Sequence, residues 1–137
     1  MSFSKVDESF WYDSKVENWP QQTKFFALYL LTNHHNNSEG FYKLPLAYIS
    51  FDLDLEADQT KEMIQQLENE NFIRYDYHNS TILINKGLKY NNVKNKNQRQ
   101  SAYNRITNLK QSFLYQQFIK QAEIYDKKFA KFLKSRN

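Results

Sequence analysis

From Pro20 onward the apolar positions Phe25, Phe26, Leu28, Tyr29 and Leu31 fall on nearly every side of a helical period, which predicts a central core helix over about residues 20–32. "NHHNNSEG" then reads as a loop closed by Gly40, and "FYKL" as a very short strand. Pro45 opens a second helix, "PLAYISFDL". In "EADQTKEMIQQLENEN" the side chains of Thr60, Met63, Ile64 and Leu67 share one face, predicting a third helix with Asp54 or Asp58 as its start signal. After it the period becomes two. Ile73, Tyr75 and Tyr77 alternate with Arg74, Asp76 and His78, "HNS" makes a turn, and Ile82 and Ile84 of "TILI" return, giving a hairpin of two short strands.

Helix, short strand, helix, helix, hairpin is the order of a winged helix-turn-helix. From Ser101 to Leu133 the chain has neither Gly nor Pro, and Phe118, Ala122, Tyr125, Phe129 and Phe132 recur at spacings of four and three. An unbroken helix of that length would run about 50 Å, so it breaks and folds back, projects, or pairs with a second copy. The stripe of five residues is the expected oligomerisation seam, though at two heptads it is shorter than an established coiled coil. The expected fold is mainly α with a small β-hairpin (α+β): a winged helix-turn-helix over 1–88, a basic linker arm over 89–100 and a long C-terminal helical extension over 101–137.

Composition narrows the class. A chain of 137 residues holds one domain plus an appendage, its 23 aromatics supply large side chains to bury, and its two glycines and two prolines fit a helical protein. The absence of cysteine excludes disulfides and thiolate metal sites and fits a reducing compartment. The longest apolar run, "FFALYLL", is far too short for a membrane span, and the N-terminus lacks a signal-peptide pattern. A cytoplasmic protein is the expectation.

The net charge of +4 conceals a division. Residues 1–85 carry six Lys/Arg against thirteen Asp/Glu, whereas residues 86–137 carry thirteen against two. The segment "KYNNVKNKNQRQ" (89–100) holds Lys89, Lys94, Lys96 and Arg99 with four asparagines and no acid, and Lys86 and Arg105 extend it. Cations in this density bind phosphate by releasing counterions, and Asn adds hydrogen bonds to the backbone of a nucleic acid. Five of them engaging phosphate would give a slope of log affinity against log salt near about −4.5. Lys127, Lys128, Lys131, Lys134 and Arg136 continue the basic field.

Four stretches, "FWYDSKVENWPQQTKFFALYLLTN", "GFYKLPLAYIS", "MIQQLENENFIRYD" and "TILINKGLKYNNVKNKNQRQSAYNRI", together resemble the N-terminal winged-helix domain of bacteriophage replication initiators, the replisome organisers related to DnaD-type primosome proteins. The resemblance spans roughly residues 10–106, and its post-wing pattern of an aromatic, an Asn pair, basic residues and a Tyr falls on Tyr90, Asn91, Asn92, Lys94, Arg99 and Tyr103. It implies origin binding on double-stranded DNA through the third helix, wing and post-wing segment, self-assembly as a homo-oligomer, and recruitment of a helicase loader or other host replication protein. Members of the family usually continue into a second helical domain, whereas this sequence ends at Asn137, as a shortened form or an excised N-terminal domain would.

Lys61, Gln65 and Gln66 on the outward face of the third helix offer base-edge readers, and His78 in the wing can reach a minor groove. Opposing this, Glu56, Asp58, Glu62, Glu68 and Glu70 give that helix five acids against Lys61. The alternative function is therefore a phage-encoded winged-helix protein-interaction module whose acidic face grips a host replication or defence protein. His34, His35 and Glu39 read as a solvated loop rather than a metal site, because the loop carries no second carboxylate or Cys. Gly40 and Gly87 stand apart in sequence and make no phosphate cradle, and no nucleophile, acid–base pair or cofactor motif stands out. The expected class is a binding protein without a cofactor, not an enzyme.

Overall fold

Two prolines set where the N-terminal half becomes helical. Pro20 and Pro45 each hold φ at −58° immediately before a helix, the value their rings impose, and neither has an N–H to leave unpaired there. The computed structural model of the chain describes residues 3–136. In chain order these form α1 (Ser9–Tyr12), α2 (Ser14–Glu17), α3 (Gln21–Thr32), β1 (Phe41–Lys43), α4 (Leu46–Leu53), α5 (Ala57–Asn69), β2 (Ile73–Asp76), β3 (Thr81–Ile84), α6 (Gly87–Tyr90), α7 (Lys96–Ile106), α8 (Leu114–Tyr125) and α9 (Lys127–Lys134). The architecture is mainly α with a small antiparallel sheet. None of the helices among the described residues is long and apolar enough to cross a membrane.

α3 is buried as its pattern requires, with Phe26, Ala27 and Leu30 fully enclosed, although Phe25 remains half exposed. The start of α5 differs from the expectation. Asp54 ends α4 in the left-handed region at φ 53°, and Glu56 caps α5, its N–H donating to the Gln59 side chain at 2.9 Å. That reciprocal arrangement occupies donors which a helix start otherwise leaves orphaned.

The sheet runs in the order β1-β3-β2, all antiparallel, with Ile82 opposite both Tyr42 and Tyr75. All four residues of β3 are buried, because both faces of the sheet are covered. Ile82 and Ile84 join Tyr42, Ile73 and Tyr75 against Phe26, Leu30, Ile49, Ile64 and Leu67 of α3, α4 and α5. Leu83 and Phe41 point the other way, into a second core with Leu88, Ile106, Leu114, Phe118 and Phe129. The alternation of a strand thus divides the molecule into a helical layer, a sheet and another helical layer. Residues 101–136 do not extend away from the body; they bury the sheet's second face.

The expected long C-terminal helix is broken twice without glycine or proline. After α7 comes a 3₁₀ turn, Thr107–Leu109, and Ser112 then starts the next helix: its hydroxyl accepts the Leu114 N–H at 3.1 Å and donates to Asp76 at 2.7 Å. The second break is at Asp126, whose carboxylate accepts the Phe129 N–H at 3.2 Å and the Val93 N–H at 2.7 Å. The oligomerisation seam expected at Phe118, Ala122, Tyr125, Phe129 and Phe132 is turned inward. Phe118, Ala122 and Phe129 are fully buried in this chain's own second core, with Tyr125 and Phe132 packed at its margin. Burying each Phe is worth about 1.5–3 kcal/mol, a gain realised here without a second chain.

Residues 89–100 likewise do not form a free linker. Val93 is buried in the second core, Asn95 caps α7 by accepting the Gln98 N–H at 2.8 Å, and Lys96 to Gln100 are helical.

Candidate nucleic-acid interface

The basic arm leaves β3 and passes the end of α5, where Lys86, Gly87, Tyr90 and Asn91 line one cleft with Phe72 and Trp19. Val93 then enters the second core, and the hydrogen bond from its N–H to Asp126 joins the arm to the junction of α8 and α9. Lys94 follows Val93 and Lys127 follows Asp126, so their Cα atoms lie within about 15 Å of each other by chain geometry. Asn95 and Asp126 are also the N-caps of α7 and α9. Two helix N-termini, with their uncommitted N–H groups and positive dipole ends, therefore converge where Lys94, Lys96, Lys127 and Lys128 stand exposed.

Charge pairing leaves this region free. Glu39 takes Arg105 and Glu123 takes Lys134 at 2.7 Å, so eleven of the thirteen cations after residue 85 have no carboxylate partner among the described residues. The remaining acid, Asp126, is committed to two backbone N–H groups. Lys89 lies 5.3 Å from the centroid of the Tyr90 ring, which is about half exposed. On the face of α7 and α9, Arg136 sits 3.6 Å over the Phe132 ring, and Lys110 donates to the Tyr103 hydroxyl at 2.9 Å. That ammonium holds the Tyr103 phenol below its ordinary range.

Three expected DNA contacts are altered by the structure. Arg105 donates from Nε and Nη2 to both oxygens of Glu39, whose side chain is fully buried. This pairing raises the Arg105 pKa above its ordinary value, through the hydrogen bond first, and commits the guanidinium to the protein. Gln66 is exposed, but its side-chain oxygen accepts the Thr23 hydroxyl at 3.1 Å, tying α5 to α3. Gln65 donates to Asn69 at 2.9 Å along the same helix. Lys61 and His78 are exposed, the latter in the hairpin turn.

Beyond the cleft at the end of α5, the cations of the arm and the outward face of α5 belong to opposite layers. α5 packs on one face of the sheet through Ile64 and Leu67, and the layer carrying Lys94, Lys96 and Arg99 packs on the other. Lys61 and Gln65 thus project from the layer opposite the arm. What the pattern of the sequence did not place beside the arm is the α9 start, Lys127 and Lys128. Its only signal was Asp126, an N-cap residue type ahead of "KKFAKF".

Comparison with models of protein families, with curated proteins and with solved structures finds no match to this chain.

Proposed function

We propose that the chain binds double-stranded DNA through its basic C-terminal layer, as part of a phage or plasmid replication-initiation system. The carrying observation is the hydrogen bond from Val93 to Asp126, which gathers Lys94, Lys96, Lys127 and Lys128 at two helix N-termini, where the one acid among them, Asp126, is hydrogen-bonded to two backbone N–H groups. Helix ends and lysines both attract phosphate, the first through fixed N–H groups and the second through counterion release. The order α3, β1, α4, α5, β2, β3 is that of a winged helix-turn-helix. On this reading phosphate affinity resides in the arm and the start of α9, and Lys61 and Gln65, on the opposite layer, do not meet the duplex held there. Fluorescence anisotropy on a random-sequence duplex at rising salt tests the proposal: binding that weakens steeply with salt supports it, and absence of binding at low salt defeats it.

A second reading has its own observation. The turn between α4 and α5 exposes Asp52, Asp54, Glu56, Asp58 and Glu62 around Phe51, which is 83% exposed. The basic half does not fold over this surface, since Glu39 with Arg105 is the one ion pair between the halves among the described residues. An acidic surface with an exposed aromatic suits a basic, partly apolar protein partner, the host replication or defence protein of the interaction-module hypothesis.

A further inference from the structure

The loop after α3 is held in one shape by its own amides. Asn33 accepts the His35 N–H at 2.9 Å, and Asn36 donates to the Leu31 carbonyl at 2.7 Å. The turn brings the two imidazoles together, tilted at 42° with ring centroids of His34 and His35 3.9 Å apart, and lays His35 on Tyr48 of α4 at 4.7 Å and 26°. One helical turn beyond Tyr48, α4 presents Asp52. One ligand atom from each of His34, His35 and Asp52 lies within 4.8 Å of the other two. The structure therefore supplies the carboxylate that the loop lacks in sequence, while Glu39 is withdrawn into its pair with Arg105.

We propose that His34, His35 and Asp52 form a surface site for a borderline divalent transition metal, Zn²⁺ being the ion that this donor set suits. Two imidazoles and one carboxylate are the ligand types of open zinc sites, and bonds of about 2.0–2.2 Å place tetrahedral donors about 3.3 Å apart. Rotation of the exposed His34 and Asp52 side chains closes the remaining distance. Neither imidazole has a hydrogen-bond partner among the described residues, so coordination displaces none. Asp52 is already oriented: the Tyr29 hydroxyl donates to its Oδ2 at 2.6 Å, the kind of outer contact that fixes a metal-binding carboxylate. A bound ion ties the loop after α3 to the end of α4. The site shares no residue with the lysines assigned to DNA, so the two assignments stand or fall separately.

The test is calorimetric titration of ZnCl₂ into the full chain at neutral pH. One ion per chain is expected, with affinity weakened more than about tenfold in Asp52→Asn and in His34→Ala, and by about tenfold in Tyr29→Phe. His78→Ala, which removes the third histidine of the chain, is expected to leave affinity unchanged. Circular dichroism of each variant confirms that the fold persists, and Asp52→Asn preserves an acceptor for Tyr29. Absence of binding, affinity unaltered in Asp52→Asn, or loss of binding in His78→Ala would each overturn the assignment.

Discussion

Gly40 and Gly87, the only glycines in the chain, lie against one another: a Cβ added to Gly40 would stand 3.2 Å from the Gly87 Cα. Gly40 has a φ of +73°, and a Cβ on Gly87 would come within 2.9 Å of the Glu39 carbonyl oxygen. That close approach seats the start of α6 beside the start of β1, next to the buried Glu39. The clash is with backbone, which cannot rotate aside. Gly87→Ala is expected to cost about 1–3 kcal/mol, read as a lower urea midpoint with an unchanged m-value.

Arg105 and Lys94 are both cations of the basic half, yet they should behave oppositely. Arg105→Ala leaves the buried Glu39 carboxylate without its main donor and is expected to cost about 1–3 kcal/mol of stability. At a temperature where the variant is folded, its salt slope for duplex binding should equal that of the parent. Lys94→Ala should leave stability unchanged and reduce the slope by about 0.9. Chemical unfolding and anisotropy on the same pair of variants check both halves of the statement.

Asp126 acts at two places at once. Asp126→Ala removes the cap of α9 and the acceptor for Val93, and it should cost about 1–3 kcal/mol. Hydrogen exchange should rise at Val93 and at the Phe129 amide together, and by more than at Ile82, in the centre of the sheet, where it reports only the loss of global stability. Exchange rising at Phe129 alone would show that the arm is held by something else.

Asp76 gives the fold an acid limb. Burial alone would raise its pKa, but hydrogen bonds from Asn79 and Ser112 and the N–H groups of the turn outweigh burial and hold it below its ordinary 3.8. A depressed carboxylate pKa contributes stability that is fully present above the unfolded value, about 3.9, and is lost as pH falls through the lower folded value. Ser112→Ala should therefore cost about 1–2 kcal/mol at pH 6. The difference between parent and variant should narrow below pH 4, and a gap constant from pH 6 to the acid limit would refute the assignment.

How much of this was legible in the sequence depended on whether the cause was local. Pro20 and Pro45 fix helix starts through their own rings, and the period-two run Ile73–Tyr75 shows its inward face directly, so the order of elements from α3 to β3 could be read in advance, whereas the short α1 and α2 before Pro20 were not. The C-terminal helix could not. Ser112 and Asp126 break it by bonding to Asp76 and Val93, partners 36 and 33 residues away, and local propensity carries no record of such partners. The same distance effect governs the candidate sites. The basic arm was visible as charge, but the loss of Arg105 to Glu39, the arrival of Asp52 beside His34 and His35, and the placement of α5 on the far face of the sheet all follow from tertiary packing. Phe118 and Phe129 were recognised as needing cover, and the cover proved to be the sheet through Phe41 and Leu83.

The central claim is that duplex DNA is held by the lysines that Val93 and Asp126 bring together. Its most direct measurement is the salt dependence of duplex affinity for the parent and for the variant carrying Lys94, Lys96, Lys127 and Lys128 all changed to Ala, compared at equal helicity. The account predicts that the slope of log affinity against log salt becomes shallower by about 3.6, with affinity at low salt falling in parallel. A slope unchanged by the four substitutions, or no binding by the parent in the most dilute buffer, would contradict it.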